Sequence, residues 1–228
     1  MPFVKKPQVY SAKINALTLG TGDKAIVLGG QNVNNLYAFD GEIVNRPKVG
    51  IDVSDIAEQP SKGLAAFYEG CTTLAERAKK AAELPEVDFV CIRFDLADPN
   101  GANKSVEECV ADAKAVAEVV DKPIVVAGCK NAEKDAELLS KVSEALQGKN
   151  ILVLSAKEEN YKGVAAGAGL AYGQKVGAES AVDINLAKQV NVLITQMGVN
   201  GENIAMNIGS ASAGYGFEYV SSTLERVK

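Results

Sequence analysis

The sequence contains no histidine and no tryptophan. Without imidazole, the chain has no Ser-His or Cys-His nucleophile system and no metal site that depends on histidine ligands. Histidine is also the side chain whose unperturbed pKa lies nearest to neutrality. Proton transfer by this chain is therefore restricted to carboxylates, lysine, tyrosine, cysteine or water.

Short cysteine pairs and long apolar runs are also missing. The cysteines at 71, 91, 109 and 129 form no C-x-x-C motif, which argues against a tetrathiolate zinc site and against an iron–sulfur cluster in this chain. No run of about 20 apolar residues predicts a transmembrane helix, and the first residues have no signal-peptide pattern. Free thiols in a reducing cytoplasm are the simplest interpretation.

The composition fits a folded, acidic globular chain. Of its 228 residues, 47% are hydrophobic and 23% are charged, and 24 basic against 29 acidic side chains give a net charge of −5. This length favours one large domain. An acidic balance argues against nucleic-acid binding, because phosphate recognition depends on clustered lysine and arginine.

The N-terminal part, residues 1–48, differs from the rest of the chain. A loose alternation over Val9–Leu17, a turn at Thr21–Asp23 and the apolar run Ala25–Leu28 predict a β-hairpin, which a lead-in loop follows.

The second part, residues 49–228, alternates short Val- and Ile-rich runs with helical segments. These runs are typical of buried parallel strands: Val49–Val53, Phe89–Phe94, Pro123–Ala127, Ile151–Leu154, Lys175–Ala178 and Ile204–Asn207.

The segments between these runs have helical periodicity. One helix is predicted from Val106 to Val120, and Asn131 is the expected N-cap of a second over Ala132–Gln147. Asp183 or Asn185 would cap a third. The glycines at 163, 167, 169, 173 and 177 match neither the dinucleotide nor the P-loop spacing. Interleaved with Ala, Val and Leu, they predict a closely packed helix of small residues.

Alternating strands and helices place the chain in the α/β class. The six runs recur about every 31 residues, so residues 49–228 hold about six βα units. Two architectures agree with this count: a six-stranded doubly wound sheet, or a TIM (β/α)8-type barrel that lacks its last two βα units. The segment 221–228 resembles a helix that stops before its natural cap, which we interpret as a sign of truncation.

Ligands of both architectures bind at the carboxyl ends of the strands, where this chain is polar. Lys157 follows the fourth run and is a candidate Schiff-base lysine. The adjacent Glu158 and Glu159 would keep it protonated and solvated, which argues against aldolase chemistry. After the sixth run, the small residues 209–216 suit either the close approach of a large ligand or an ordinary surface loop.

Five motifs occur in order, and together they resemble one family: Gly41–Pro47, Ala97–Asn103, Glu159–Lys162, Asp183–Asn185 and Gly214–Tyr219. From about residue 25 to its end, the chain resembles the small (delta) subunit of the corrinoid/iron–sulfur protein of the acetyl-CoA synthase/decarbonylase pathway. The resemblance implies a (β/α)8 barrel with an N-terminal hairpin. It also implies a heterodimer with a large subunit that carries the iron–sulfur cluster.

The resemblance also implies a function. A corrinoid (cobalamin) is shared with the large subunit, at the carboxyl-end face of this barrel. The complex takes a methyl group from methyl-tetrahydrofolate or methyl-tetrahydropterin and delivers it to acetyl-CoA synthase. By the same resemblance, a methyltransferase and acetyl-CoA synthase are expected to bind transiently, and this subunit is expected to have no catalytic residue of its own. The motifs carry over the following corrinoid-facing residues: Asp98, Asn103, Asn160, Tyr161, Asp183, Asn185, Tyr215 and Glu218.

Two departures from the family pattern matter. Related chains continue through two further βα units, and they tend to have an Asp-Pro pair where this chain reads Met206-Asn207-Ile208-Gly209. Two other functions stay open from the residues. One is a pterin-binding barrel methyltransferase that acts on a corrinoid protein. The other is a barrel-like fragment that only docks a partner.

Overall fold

The computed structural model describes residues 3–4, 6, 11, 13–31 and 43–227. Val9, Tyr10 and Ala12 of the predicted first strand, and the loop at 32–42, lie outside the described residues. Two antiparallel strands form the predicted hairpin, β1 (Ala16–Leu19) and β2 (Ile26–Gly29). Six strands form a parallel sheet: β3 (Gly50–Ser54), β4 (Phe89–Arg93), β5 (Ile124–Ala127), β6 (Leu152–Ala156), β7 (Lys175–Glu179) and β8 (Ile204–Asn207).

Helices follow each strand of this sheet. The structure describes seven of them: α1 (Lys62–Phe67), α2 (Leu74–Ala82), α3 (Val106–Val119), α4 (Ala132–Ala145), α5 (Tyr161–Val164), α6 (Ile184–Gln196) and α7 (Phe217–Val227). A π-helical segment, Ala165–Leu170, continues α5. The six predicted strands of the parallel sheet are confirmed within two residues at each end, and the chain is α/β as expected. The first strand of the hairpin begins at Ala16, later than the predicted alternation over Val9–Leu17.

The strands are hydrogen-bonded in their chain order, from β3 to β8, and every neighbouring pair is parallel. A doubly wound sheet reverses its strand order at a switch point, and no reversal occurs among these six strands. Each connection passes through at least one helix. The strand order therefore runs in one direction across the sheet, and the connecting helices pack on one of its faces.

The two faces of the sheet have different coverings. Val90, Ile92, Val126, Val153 and Val176 are fully buried and belong to the cluster that packs against the helices. On the opposite face, Cys91, Val125 and Leu152 pack against Leu17 and Leu19 of the hairpin. Burial on both faces explains why the strands are nearly continuous apolar runs.

The hairpin is fixed at the amino ends of the strands. Gly20 donates its backbone N–H to Asn150 O at 2.9 Å, and Asn150 Nδ2 donates to Thr18 O and Gly20 O at 2.9 and 3.0 Å. Gly20 has φ +75°, and a Cβ there would lie 2.7 Å from Pro123 Cγ. The hairpin covers this face of the sheet at the amino ends of the strands. The uncovered part of the face is therefore at the carboxyl ends of the strands.

The helix ends follow the sequence signals. Ser105 and Glu108 form a capping box at the start of α3. Asn131 caps α4 by accepting from Lys134 N at 3.0 Å. Of the two candidates for α6, Asp183 is the cap, since it accepts from the backbone N–H of Asn185 and Leu186 at 2.8 and 3.1 Å.

The glycine-rich segment is the predicted helix of small residues. A Cβ on Gly163 would lie 2.8 Å from Ala136 Cβ, and one on Gly167 would lie 2.3 Å from Ser140 Oγ. These residues therefore let α5 and its π-helical continuation pack closely against α4, and they have a structural role.

The motif at 41–47 also has a structural role in its described part, since Gly41 and Glu42 lie outside the described residues. Arg46 binds Asp88 through two hydrogen bonds of 3.1 and 2.6 Å. The backbone N–H of Val49 donates to Asp88 at 2.8 Å, and this bond, with the Arg46 guanidinium, lowers the pKa of the Asp88 carboxyl. Asn45 Nδ2 donates to Gly29 O at 2.8 Å. The motif thus ties the hairpin to β4.

The four cysteines are free, and Cys71 is partly exposed whereas the other three are buried. Burial raises the pKa of the Cys109 thiol to about 12 and that of Cys129 to about 11. These thiols are therefore protonated at neutral pH and pack as small apolar side chains.

In the described ranges, no helix has both the length and the apolar composition needed to cross a bilayer.

Candidate functional site

A charged cavity of about 270 Å³ lies at the carboxyl ends of the strands. It is on the same face of the sheet as the hairpin, which covers the amino ends of that face. Three cationic and three acidic side chains line it, so their formal charges balance: Arg93, Lys130 and Lys157 with Asp52, Asp135 and Glu179. Ala127, Gly128, Leu154, Ser155 and Asn207 complete the lining. We call this space the mouth cavity.

One wall of the mouth cavity is an ion-pair network on β3 and β4. Arg93 Nη1 lies 3.6 Å from Asp52 Oδ2, and Arg93 Nη2 lies 2.8 Å from Asp95 Oδ2. Ser54 Oγ donates to the same oxygen of Asp95 at 2.6 Å. The hydrogen bond to Asp95 is the main reason that the pKa of Arg93 is raised. The guanidinium therefore stays charged and fixed in place.

The opposite wall is formed by a second ion pair, Lys157 on the loop after β6 and Glu179 at the end of β7. Lys157 Nζ lies 3.3 Å from Glu179 Oε1, and both side chains are about one-third exposed, at 35% and 32%. The acid that pairs with Lys157 is Glu179, whereas the sequence prediction considered only the adjacent Glu158 and Glu159. Glu158 instead accepts from Gln189 Nε2 at 3.1 Å, and the strand register brings Glu179 to the lysine.

Asp135 forms the floor of the mouth cavity and is buried. Its Oδ1 accepts from Cys129 N at 2.7 Å and from Cys129 Sγ at 3.2 Å, and its Oδ2 accepts from Lys130 N at 3.0 Å. Burial raises the pKa of this carboxyl against the effect of these bonds. A Cβ on Gly128 would lie 2.2 Å from Asp135 Oδ1, so only glycine leaves room for the carboxylate.

A third charged network, formed by Asp55, Lys104 and Asp112, stabilises the loops at the carboxyl ends of β3 and β4. Asp55 accepts from Leu96 N at 3.0 Å and pairs with Lys104 Nζ at 3.4 Å, and Lys104 also pairs with Asp112. Burial raises the pKa of Asp55. These contacts connect the loops that follow β3 and β4 to helix α3.

All eight residues predicted to face the corrinoid lie in segments that follow β4, β6, β7 or β8, at the same end as the mouth cavity. None of the eight lines that cavity. Asp98 accepts from Asn100 N at 2.9 Å in a turn, and Asp183 caps α6. Asn160 is buried, and its Oδ1 accepts from Lys157 N at 2.7 Å. These three residues shape their loops.

The other five predicted residues have more varied positions. Asn103 is exposed, with φ +48°, and its Oδ1 accepts from Lys134 Nζ at 3.3 Å. Tyr161 is partly buried against the core. Asn185, Tyr215 and Glu218 are exposed, and Tyr215 is 86% exposed. Tyr215 and Glu218 lie beside further exposed aromatic rings at the start of α7.

The sequence analysis singled out Lys157 as a candidate lysine, but the predicted corrinoid-facing set contains no side chain that lines the mouth cavity. A usable signal exists in the strands themselves. Asp52, Arg93 and Glu179 are charged residues within or at the end of otherwise apolar strands. Since successive strand residues alternate between the two faces, such a charge marks the open face. Asn207, in the segment that departs from the family's Asp-Pro pattern, lines the same cavity.

Comparison with known proteins now identifies the family. The family described as CO dehydrogenase/acetyl-CoA synthase delta subunit matches residues 16–228, which is most of the chain. This chain belongs to the delta-subunit family. The sequence resemblance is therefore confirmed at this level, and the mouth cavity belongs to a delta-family domain.

Curated relatives agree with this assignment. Acetyl-CoA decarbonylase/synthase complex subunit delta 1 of Methanosarcina thermophila is 31% identical over 211 residues, which cover 92% of this chain and 48% of the relative. The delta subunits of Archaeoglobus fulgidus and Methanothermobacter thermautotrophicus are each 30% identical over 96% of this chain, and the matches cover 50% and 57% of them. The chain spans about half the length of the curated relatives it matches.

Proposed function

We propose that this chain is the corrinoid-binding subunit of a methyl carrier that serves acetyl-CoA synthesis or decarbonylation. The carrier takes a methyl group from methyl-tetrahydrofolate or a methyl-tetrahydropterin and delivers it to acetyl-CoA synthase. The observation that carries the proposal is the mouth cavity, a balanced set of charged donors and acceptors at the carboxyl-end face of a delta-family sheet. The proposed partner is a large corrinoid/iron–sulfur subunit, and the proposed location is the cytoplasm.

The residues present fit a corrinoid by their chemistry. Corrinoids carry primary amide side chains, and each amide offers both hydrogen-bond donors and an acceptor. The mouth cavity offers both partners, with Arg93 and Lys157 as donors and Asp52 and Glu179 as acceptors. Its volume of about 270 Å³ is below the usual lower limit for a drug-sized ligand, about 300 Å³. The cavity therefore suits amide side chains, while the macrocycle would lie across its opening.

The rim beside β8 suits an apolar ligand surface. Tyr215, Phe217 and Tyr219 are 86%, 50% and 65% exposed. The preceding loop is made of small residues, and Gly209, Gly214 and Gly216 have positive φ. Small residues let a flat ligand approach the backbone, and exposed aromatic rings provide contact area. A macrocycle with polar edges and apolar faces would match both parts of this surface.

We infer that the six-stranded sheet is part of a TIM-type barrel. This chain contributes six βα units to that barrel. Supporting this are the consecutive strand order, the single helical layer and the hairpin over the amino end of the other face. In such barrels, ligands bind at the carboxyl ends of the strands, which is where the mouth cavity lies.

Within this proposal, the chain binds and orients the ligand, and it excludes water from one side of it. The chemistry that a bound corrinoid supplies is reversible methyl transfer at cobalt. Arg93 and Lys157 would hold amide oxygens, Asp52 and Glu179 would hold amide N–H groups, and the aromatic rim would cover the macrocycle. No step requires a proton from this chain, which agrees with a protein that has no histidine.

Anaerobic purification of the chain with its cellular partners tests the proposal. We expect one cobalt per complex by mass spectrometry, corrinoid absorbance, and an iron–sulfur partner in equal amount. A cobalt-free complex that contains the partner would contradict corrinoid binding and favour a docking role alone. Turnover of methyl-tetrahydrofolate by the chain without a corrinoid-carrying partner would contradict the carrier role and favour the pterin-binding methyltransferase.

A further inference from the structure

We propose that Lys157 and Glu179 form a subsite for one uncharged primary carboxamide, and that this subsite rejects the corresponding carboxylate. The inference rests on the proposed function, and it specifies which ligand chemistry the mouth cavity accepts. A corrinoid with intact amide side chains would thus be distinguished from one in which an amide has been hydrolysed to an acid.

The geometry supplies one donor and one acceptor side by side. Lys157 Nζ and Glu179 Oε1 are 3.3 Å apart, about one-third of each side chain is exposed, and both residues line the cavity. A primary carboxamide has its own acceptor oxygen and donor nitrogen about 2.3 Å apart, so it can bridge such a pair: its oxygen accepts from the ammonium and its NH2 donates to the carboxylate. Charge-assisted hydrogen bonds of this kind are stronger than neutral ones.

The charge balance of the cavity provides the discrimination. A carboxylate in the same position would meet Lys157 favourably but would face Glu179 at hydrogen-bond distance without a proton to share. Asp52 and Asp135 add two further acidic groups to the lining. Because the acidic and basic groups balance, no excess positive charge compensates for an incoming negative charge, and like-charge contact carries a cost.

The surrounding backbone holds the pair in place. Asn160 Oδ1 accepts from Lys157 N at 2.7 Å, and Asn160 Nδ2 donates to Ser155 O at 3.3 Å, so the loop that carries the lysine is fixed. Glu179 lies in β7, paired in register with Asn207 of β8. Fixing the backbone of both members lowers the entropy that is lost on binding.

The test compares two kinds of corrinoid probe on the assembled complex after its own corrinoid has been removed. The probes are cobinamide with all its side-chain amides intact, and its three monocarboxylates, in each of which one propionamide has been hydrolysed. Affinities are read from the corrinoid absorbance during titration. The variants are Glu179→Gln and, as a matched control, Glu159→Gln, which removes the same charge from an exposed position outside the cavity lining.

For the wild-type chain, we expect at least one monocarboxylate to bind about tenfold more weakly than the intact amide. Glu179→Gln should reduce or reverse that preference, because the glutamine NH2 donates to a carboxylate. Glu159→Gln should retain it. Equal binding of all probes, or an unchanged preference in Glu179→Gln, would overturn the subsite and leave the proposed function intact. If the complex binds neither probe, the proposed function itself fails.

Discussion

Replacing Asp135 by alanine should remove a large part of the stability of this domain. The carboxylate is buried and accepts from the backbone N–H groups of Cys129 and Lys130. Alanine leaves both donors without that partner, and each unsatisfied buried group costs about 1–3 kcal/mol. We therefore expect the free energy of unfolding to fall by roughly 2–6 kcal/mol in urea denaturation, against a typical total of about 5–15 kcal/mol.

Asp121→Ala is the control for this prediction. Asp121 is exposed and pairs with Lys24 at 3.4 Å on the surface, and exposed ion pairs contribute about 0–1 kcal/mol. If Asp135→Ala and Asp121→Ala unfold at the same urea concentration, the carboxylate does not hold the loop after β5 as described here.

The raised pKa of Asp135 gives this prediction a pH dependence. A carboxyl whose pKa is higher in the folded state binds its proton more tightly there, so its contribution to stability decreases as pH rises from the usual value of 3.8 through the raised pKa. Asp135→Asn has no such proton. The stability of the wild type relative to Asp135→Asn should therefore decrease over this interval in denaturation curves measured at several pH values. A constant difference would contradict the raised pKa.

Phe94→Ala should be destabilising to a similar degree for a different reason. Phe94 follows β4 and is completely buried, among the largest side chains of the core between sheet and helices. Truncating a buried phenylalanine removes apolar contact and leaves a cavity, which costs about 3–5 kcal/mol. We expect that loss in the free energy of unfolding, measured by thermal or chemical denaturation.

Phe217→Ala makes the same chemical change at a residue that is 50% exposed. An exposed substitution of this kind is usually within about 0.5 kcal/mol of the wild type. The two variants should thus differ by several kcal/mol, and similar losses for both would show that the core does not lie where the structure places it.

The strands and helix caps were predictable because their signals are local. A strand buried on both faces is a continuous apolar run, and helix caps such as Asn131 and Ser105 satisfy backbone groups within three residues. The sequence also predicts that ligands bind at the carboxyl ends of the strands, and the mouth cavity lies at that end.

The composition of the site was less predictable because its contacts are not local. Reasoning from sequence considered only the adjacent Glu158 and Glu159 as acids near Lys157, whereas the fold pairs Lys157 with Glu179 on the next strand. The predicted set came from polar loop motifs, and several of those residues, Asp98 and Asp183 among them, satisfy turns and caps. Only the register of the strands shows which charged side chains lie together on the face that carries the mouth cavity.

Amide hydrogen exchange on the assembled complex, with and without corrinoid, tests the central claim most directly. If the ligand lies at the carboxyl-end face, corrinoid should slow exchange in the loops that surround the mouth cavity: residues 94–103, 128–131, 157–161 and 207–216. The hairpin at the opposite end, residues 16–29, should be unaffected. Protection confined to the hairpin, or no protection in these loops when corrinoid is bound, would contradict the account.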